Sequence, residues 1–145
     1  MSSTAQTTAQ RTLVLVKPDA VRRGLVGNIV SRFEAKGLKV LALELRTIDD
    51  TTADAHYSEH VAKDFYPPLR AFVTSGPLVA LVLEGDEAVD VVRATNGATD
   101  GRKAAPGTIR GDLSLSNREN LVHGSDSLES AEREISMWFP DLRSA

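Results

Sequence analysis

Thr12-Leu13-Val14-Leu15-Val16-Lys17-Pro18-Asp19 carries the clearest strand signal of this chain. The run up to Val16 is almost wholly apolar, which is typical of a β-strand buried on both faces. Pro18 ends the strand, since proline cannot donate a backbone hydrogen bond to a sheet. Lys17 therefore stands at a strand end, where a charge is costly unless it faces a cleft or a partner. The alternative is a lysine that extends past the strand end into solvent.

Strand and helix signals alternate along the rest of the chain. Strands are predicted at 12–16, 38–45, 78–83 and 121–122, from apolar runs bounded by turn residues. Helices are predicted at 25–35, 51–65, 86–94 and 129–139, the second as one or two helices broken near Pro67-Pro68. Gly37 is predicted to close the first of these helices as its C′ residue. Such interleaving predicts one antiparallel or mixed sheet with helices packed on it, an α+β or α/β sandwich.

Composition limits the class of protein. A chain of 145 residues predicts one domain, assigned to residues 11–145, behind a disordered Ser/Thr/Gln/Ala-rich tail at residues 1–10. The net charge of −3 argues against a broad nucleic-acid-binding surface. No cysteine is present, which excludes thiol catalysis and disulfides. No apolar run predicts a membrane span or a signal peptide, so we expect a cytoplasmic protein without membrane or nucleic-acid partners.

The segment 117–127 contains one histidine, His123, between a short apolar pair and a predicted turn of small polar residues. Asp126 and Glu129 have the spacing of a helix N-cap and its N3 partner, so a helix is predicted to open there. A histidine just before a helix N-terminus faces backbone N–H groups, a setting that suits phosphate. His123 is therefore a candidate nucleophile, because its imidazole titrates near working pH. The alternative is a turn histidine that only hydrogen-bonds the loop.

The long loop 95–112 has no periodicity of its own, which is typical of a functional loop. Its cations suggest a local phosphate site in an acidic protein, since the planar arginine fork matches phosphate oxygens. Arg102 and Lys103 are interpreted as solvated loop charges. Arg93, which ends an apolar helix, and Arg110, in a Gly-rich turn, are the stronger candidates.

Other residues have two interpretations from pattern alone. Tyr57 and Phe65 are aromatics at near-helical spacing and are more typical of a core than of a ligand platform. Glu134 has the pattern of a solvated helix glutamate. His56-Tyr57-Ser58-Glu59-His60 matches a short zinc-hydrolase pattern, but no third ligand follows, and both histidines are interpreted as helix-surface residues. Neither a P-loop nor a dinucleotide fingerprint occurs.

Seven segments together make the chain resemble the nucleoside diphosphate kinase family from Arg11 to Pro140. They are Val16-Lys17-Pro18-Asp19, Arg23-Gly24-Leu25-Val26-Gly27, His56-Tyr57, Phe65-Tyr66-Pro67, Ser75-Gly76-Pro77, Pro106-Gly107-Thr108-Ile109-Arg110-Gly111-Asp112 and Asn120-Leu121-Val122-His123-Gly124-Ser125-Asp126-Ser127. The last segment is highly specific. The resemblance implies a ferredoxin-like βαββαβ sandwich, an antiparallel sheet with helices packed on it.

The resemblance also implies an activity and roles at the site. The chain would transfer the γ-phosphoryl group of a nucleoside triphosphate, typically ATP, to a nucleoside diphosphate, deoxy forms included, by ping-pong kinetics. His123 would be the nucleophile, phosphorylated on Nδ1 (the pros nitrogen). Glu134 would orient His123, and Lys17, Tyr57 and Ser125 would lie at the transferred phosphate. The other roles fall on the nucleotide: Arg93, Thr99 and Arg110 would hold its phosphates, Lys17 and Asn120 would contact the ribose hydroxyls, and Phe65 would stack on the base. Mg²⁺ would arrive on the nucleotide phosphates, with no ligand assigned to the protein.

Assembly is where the chain departs from the family. Asp100-Gly101 stands where many members have Asn-Pro, and the chain ends soon after the last predicted helix. Both regions contribute to subunit contacts in the family, so these departures affect the assembly and leave the chemistry unchanged. A homo-hexamer is expected, with a homo-tetramer as the alternative. The alternative classes are an RNA- or ligand-binding module, disfavoured by the negative charge, and an inactive scaffold, disfavoured because every matched site position is retained.

Overall fold

The computed structural model describes residues 9–142, and residues 1–8 and 143–145 lie outside this range. Within residues 9–142, four strands and seven helices follow in the order β1 (Ala9–Val16), α1 (Pro18–Arg22), α2 (Val26–Ala35), β2 (Lys39–Arg46), α3 (Asp50–His56), α4 (Tyr66–Val73), β3 (Leu78–Asp86), α5 (Ala88–Asn96), α6 (Ile109–Leu113), β4 (Val122–Gly124) and α7 (Leu128–Trp138). No helix within the described range is long and apolar enough to cross a bilayer.

The strands form one antiparallel sheet in the order β2-β3-β1-β4. β1 lies in the interior of the sheet, which explains why its sequence is apolar on both faces. Strand β4 forms an edge, and its register places His123 opposite Leu15 and Val122 opposite Val16. The predicted α+β sandwich with an antiparallel sheet is confirmed.

Helices cover both faces of the sheet. On one face, Val14 and Val16 pack in a cluster that includes Ile29 and Phe33 of α2. On the other face, Leu13 and Leu15 pack in a cluster with residues of α3, α4 and α7. Alternate side chains of one strand thus enter different cores, as the two-residue period of a strand requires. Both cores meet at β1, whose C-terminal end carries Lys17.

Several element boundaries differ from those predicted. Strand β1 begins at Ala9 and pairs with β3 from Asp86 onward, so the last two residues of the predicted tail belong to the sheet; the rest of that tail lies outside the described residues. The short helix α1, which was not predicted, starts with Pro18 in its first turn, where the missing N–H costs nothing.

The predicted helix 51–65 is wrong in its second half. Helix α3 ends at His56, a series of turns follows, and α4 starts at Tyr66 with Pro67 and Pro68 in its first turn. The prolines therefore begin a helix instead of breaking one. The loop 95–112 is likewise interrupted by α6, whose N-cap Thr108 accepts a hydrogen bond from the backbone N–H of Gly111.

The last helix begins at Leu128, one residue before the predicted range 129–139 and one residue after the start that an Asp126 N-cap implies. Its N-cap is Ser127, whose hydroxyl accepts from the backbone N–H of Ser130 at 3.0 Å, so the prediction of Asp126 as N-cap with Glu129 as N3 is wrong. Serine and aspartate are comparable N-caps, so local sequence could not separate the two positions. Gly37, by contrast, has φ +102° just after the C-cap of α2, as predicted.

Candidate active site

A cleft of about 750 Å³ opens where the end of β1 meets β4, α3, α5 and α7. Nine of the ten site residues named from the sequence line it: Lys17, Tyr57, Phe65, Arg93, Thr99, Arg110, Asn120, His123 and Glu134. The tenth, Ser125, is fully buried and lies behind the lining. The fold therefore brings together residues that are up to 117 positions apart in the chain (134 minus 17).

Glu134 lies at the centre of a hydrogen-bonded group on β4 and α7. Its Oε1 is 3.0 Å from Nε2 of His123 and accepts from the hydroxyl of Ser125 at 2.7 Å. Glu134 is only 5% exposed, so its interpretation as a solvated helix residue is wrong. Because a carboxylate oxygen accepts, Nε2 of His123 carries the ring proton and Nδ1 keeps the lone pair.

Ser125 supports this group from the sheet. Its Oγ accepts from the backbone N–H of Leu13 at 3.3 Å and its backbone N–H donates to the carbonyl of Leu13 at 3.2 Å. The structure thus places Ser125 as a link between β1 and Glu134. A direct contact to substrate is not available to a side chain with no exposed surface in this arrangement.

His56 is the residue whose position the sequence misassigned most. It is 3% exposed, packs edge-on against the ring of His123 with centroids 4.6 Å apart, and lines the cleft. Trp138 donates its indole N–H to Nδ1 of His56 at 3.0 Å. The interpretation of His56 as a helix-surface residue is therefore wrong, and His60 lies in the turn after α3, off the helix.

The ring of His56 is held neutral. Burial lowers its pKa well below the usual value, and the nearby charges of His123 and Arg133 act in the same direction. The indole N–H of Trp138 can only donate, so Nδ1 of His56 accepts and Nε2 carries the proton. His56, His123 and Glu134 bring potential ligand atoms within 4.8 Å of one another. Nε2 of both histidines carries the ring proton in this arrangement, and a protonated ring nitrogen has no lone pair for a cation.

Lys17 is buried at the cleft floor with its ammonium bonded to Oδ1 of Asn120 at 2.9 Å. Burial lowers the pKa of Lys17 to about 8; the charge of Arg110 adds to the shift and Asp19 opposes it. The alternative of a lysine reaching solvent past the strand end is therefore wrong. Asn120 also donates its amide to the carbonyls of Thr99 and Asn117, both at 3.0 Å.

The guanidinium of Arg110 is bonded to three backbone carbonyls. Nε donates to Asn120 at 3.1 Å, NH1 to Gly97 at 2.8 Å and NH2 to Val122 at 2.6 Å. Burial lowers its pKa to about 10, with Arg93 adding to the effect, so it is charged at neutral pH. A guanidinium has five N–H groups, so two remain after these three bonds.

The outer part of the cleft is open. Phe65 is 50% exposed, and Arg93 and Thr99 are exposed at the end of α5 and in the loop beyond it. Gly124 allows α5 to approach β4, since a Cβ there would lie 2.9 Å from the amide nitrogen of Asn96. Tyr57 fits both interpretations made from the sequence, a core aromatic and a residue that faces a ligand. Its ring packs in the core, and the residue lines the cleft with a hydroxyl that has no hydrogen-bond partner among the described residues.

Arg102 and Lys103 do not line the cleft. Arg102 forms a two-pronged pair with Asp100 at 3.1 and 2.9 Å on the protein surface, as expected for a solvated loop charge. The neighbouring Gly101 packs closely on Ser114: a Cβ at position 101 would lie 2.4 Å from the Ser114 carbonyl oxygen. The Asp100-Gly101 departure from the family pattern is thus accommodated by local contacts.

Comparison with known proteins identifies the family. The nucleoside diphosphate kinase family model matches residues 10–143. The chain is 80% identical over 132 residues to a nucleoside diphosphate kinase of Nocardioides sp. (strain ATCC BAA-499 / JS614), covering 91% of this chain and 98% of the relative. It is 62% identical to that of Cutibacterium acnes, covering 92% of this chain and 96% of the relative.

Solved structures agree. A halophilic nucleoside diphosphate kinase from Halobacterium salinarum, determined in complex with CDP, superposes with a TM-score of 0.89 at 48% identity. The match covers 94% of this chain and 93% of the other. Because the family model and the relatives match nearly the whole chain, at high identity and with a shared fold, the chain belongs to the nucleoside diphosphate kinase family and is an enzyme with nucleoside diphosphate kinase activity.

Proposed function

We propose that this enzyme works by a ping-pong mechanism through a phosphohistidine at Nδ1 of His123. The observation that carries the proposal is the 3.0 Å contact between Nε2 of His123 and Oε1 of Glu134. It fixes the tautomer and leaves the lone pair on Nδ1, the nitrogen that can attack phosphorus.

Two balanced half-reactions follow. In the first, Nδ1 forms a bond to the γ-phosphorus of a nucleoside triphosphate while the bond from that phosphorus to the bridging oxygen breaks, and the diphosphate leaves. In the second, a terminal oxygen of another nucleoside diphosphate attacks the same phosphorus and the P–N bond breaks. The ring gains positive charge in the phosphohistidine, and the carboxylate of Glu134 stabilises it through Nε2–H.

Cations that line the cleft supply the electrostatic part of the rate acceleration. Phosphoryl transfer depends mainly on positioning and charge neutralisation. Lys17, Arg93 and Arg110 line the same cleft as His123 and are suited to hold phosphate oxygens. Tyr57 contributes a neutral hydroxyl, because burial raises its pKa above the usual value and keeps it a hydrogen-bond donor.

The open part of the cleft suits a nucleoside. Phe65 offers an exposed ring, and stacking tolerates every base because each has a π-face. Both amide hydrogens of Asn120 are used by carbonyls, and one lone pair of its Oδ1 is used by Lys17. The remaining lone pair can accept from a ribose hydroxyl, which agrees with the role expected from the family resemblance.

Mg²⁺ is proposed to arrive on the nucleotide phosphates. It takes oxygen ligands and keeps several waters, and the cleft offers exposed carboxylates from Glu59 and Asp126. The pKa of Asp126 is lowered by its hydrogen bond with Ser130, so this carboxylate is ionised at neutral pH. When bound, the ion would neutralise phosphate charge; the residues named above position the reacting groups.

Assembly and location are also proposed. A homo-hexamer is our first choice and a homo-tetramer the alternative, supported by exposed apolar side chains such as Leu45 on the edge strand β2 and Leu115. Analytical ultracentrifugation distinguishes six subunits from four. We also propose that the enzyme is cytoplasmic.

The mechanism is tested by incubating the enzyme with Mg²⁺-ATP and no acceptor, followed by intact-mass measurement. One phosphoryl adduct is expected, lost in acid, stable in base and removed by a nucleoside diphosphate. His123→Ala should carry none, and His60→Ala, which keeps His123, should carry one. An acid-stable adduct, or one that persists in His123→Ala, contradicts the proposal.

A further inference from the structure

Two residues before His123 the backbone makes a turn that an L-residue adopts only under strain. The N–H of Val122 donates to the carbonyl of Asn120 at 2.8 Å, and Leu121 between them has φ +74°. This is a γ-turn of the rare, strained kind, in the left-handed region that favours glycine. Leu121 is completely buried, so the turn cannot relax into solvent.

Both polar groups of the Leu121 backbone are held by the junction of β1 and α1. Its N–H donates to Oδ2 of Asp19 at 3.1 Å, and its carbonyl accepts from the N–H of Lys17 at 2.8 Å. Lys17 also reaches Asn120, the first residue of the turn, through its ammonium. The tripeptide Lys17-Pro18-Asp19 therefore grips the turn at three points.

Arg110 holds the same turn from the other side. It donates to the carbonyls of Asn120 and Val122, the two residues that flank Leu121. Strained backbone persists only where its surroundings over-determine it, and such strain concentrates at functional sites. This turn sets the direction in which the chain enters β4, and so the place of His123.

We infer that Asp19 is a positioning residue for phosphoryl transfer, holding the strained turn at Leu121 that aims His123 and Asn120 into the cleft. Asp19 is 4% exposed and does not itself line the cleft, so it acts through Leu121. The inference rests on the proposed role of His123. It requires a hydrogen-bond acceptor at this position, a requirement that asparagine also meets.

Removing the acceptor has two consequences. The N–H of Leu121 is left buried without a partner, and the cost of its positive φ is no longer offset. The turn then relaxes and His123 shifts. Displacements of about 1 Å cost up to roughly 100-fold in rate when reacting groups must be aligned.

The test combines Asp19→Ala, Asp19→Asn, Leu121→Gly and the double variant Asp19→Ala/Leu121→Gly in the full chain. The measurements are the rate of His123 phosphorylation by saturating Mg²⁺-ATP, steady-state kcat and KM, and the midpoint of thermal unfolding. Asp19→Ala should lower kcat and the phosphorylation rate by roughly 10- to 100-fold, more than it raises KM. Asp19→Asn should restore most of the rate.

The double variant is the decisive arm. Glycine adopts positive φ without a steric cost, so removing Asp19 should cost much less in the Leu121→Gly chain than in the native one. If Asp19→Ala does not fold alone, Asp19→Asn still tests the inference, because this variant keeps the acceptor for the Leu121 N–H and must keep most of the wild-type phosphorylation rate. Equal losses in both chains, equal impairment of the Ala and Asn variants, or a change in KM alone overturns the inference.

The outcome is separable from that of the proposed mechanism. Whether the wild type forms an acid-labile adduct tests the phosphohistidine. Asp19 is tested by comparing two losses, the one that Asp19→Ala causes in the native chain and the one that it causes in the Leu121→Gly chain. Both are measured as changes in kcat and in the unfolding midpoint, and neither depends on which nitrogen is phosphorylated.

Discussion

Oε1 of Glu134 lies 3.0 Å from Nε2 of His123, and this contact determines which imidazole nitrogen is free to react. Glu134 is itself fixed by the hydroxyl of Ser125 and faces the guanidinium of Arg133, whose NH2 is 3.8 Å from its Oε2. Arg133 in turn donates to the carbonyls of Ala55 and His56. His123, the proposed nucleophile, is thus oriented by a chain of contacts that joins β4, α7 and α3.

Glu134→Gln should slow phosphorylation of His123 by at least about tenfold, because a neutral amide no longer holds the tautomer or stabilises the charged ring. Glu132→Gln is the matched control, an exposed glutamate on the same helix that does not line the cleft. Rapid-quench measurement of the acid-labile adduct reports the rate. Equal rates for the two variants would remove Glu134 from the mechanism.

Phe65→Ala should weaken nucleotide binding by about 1–3 kcal/mol, the usual value of one stacked base. The adduct on His123 should still form at saturating Mg²⁺-ATP. Val61→Ala provides the comparison, since Val61 is an exposed apolar residue of the same turn segment outside the cleft. Binding is measured by calorimetry with a nucleoside diphosphate; loss of phosphorylation at saturation would show a structural role for Phe65.

Arg110→Ala should lower kcat/KM by more than it weakens nucleotide binding, if its two unused N–H groups grip oxygens that gain charge in the transition state. Arg110→Lys should restore only part of the activity, because an ammonium cannot serve three carbonyls and a phosphate together. Arg102→Ala, in the same loop, should change turnover little apart from a salt-dependent effect. Equal losses at the two positions would mean that only general positive charge matters.

Activity should fall on the alkaline side as Lys17 loses its proton. The pKa of Lys17 is lowered to about 8, so below that pH its ammonium is present and above it the amine is neutral. The pH profile of kcat/KM reports ionisations of the free enzyme and should show an alkaline limb near this value. Lys17→Arg, which stays charged, should lack that limb; a limb unchanged in this variant would assign it to another group.

Stability should fall as pH drops below the usual histidine pKa of 6.5, because His56 is held neutral in the fold while the unfolded chain takes up a proton there. Because the pKa of His56 is lower in the folded state, the unfolded state binds more protons below pH 6.5, and its free energy falls relative to that of the native state. His56→Gln keeps an acceptor for Trp138 and should flatten this acid slope. Denaturant unfolding at pH 7 and about pH 5.5 provides the comparison, and identical slopes would contradict the assignment.

Local sequence was sufficient to predict the buried strands and to name the cationic residues that line the cleft. The apolar runs at 12–16 and 78–83 predict buried strands because each depends only on residues within one short window. The segment from Asn120 to Ser127 identified His123 in the same way. Helix limits were less well predicted, as at Pro67, because the first turn of one helix and the break of another can have the same composition.

The roles of His56, Arg110 and Asp19 depended on contacts that no local window contains. Trp138 and His56 are 82 positions apart, and their hydrogen bond decides that a presumed surface histidine is buried and neutral. Leu121 and Asp19 are 102 positions apart, and their hydrogen bond is one of the contacts that hold a positive φ at a leucine. Residue type and spacing determine what each side chain can do. The ends of the neighbouring strands β1 and β4 determine which side chains meet. For this protein, the segment around His123 therefore predicts the proposed phosphohistidine chemistry, while the groups that contact His123 are set by the packing of β1, β4 and α7 against one another.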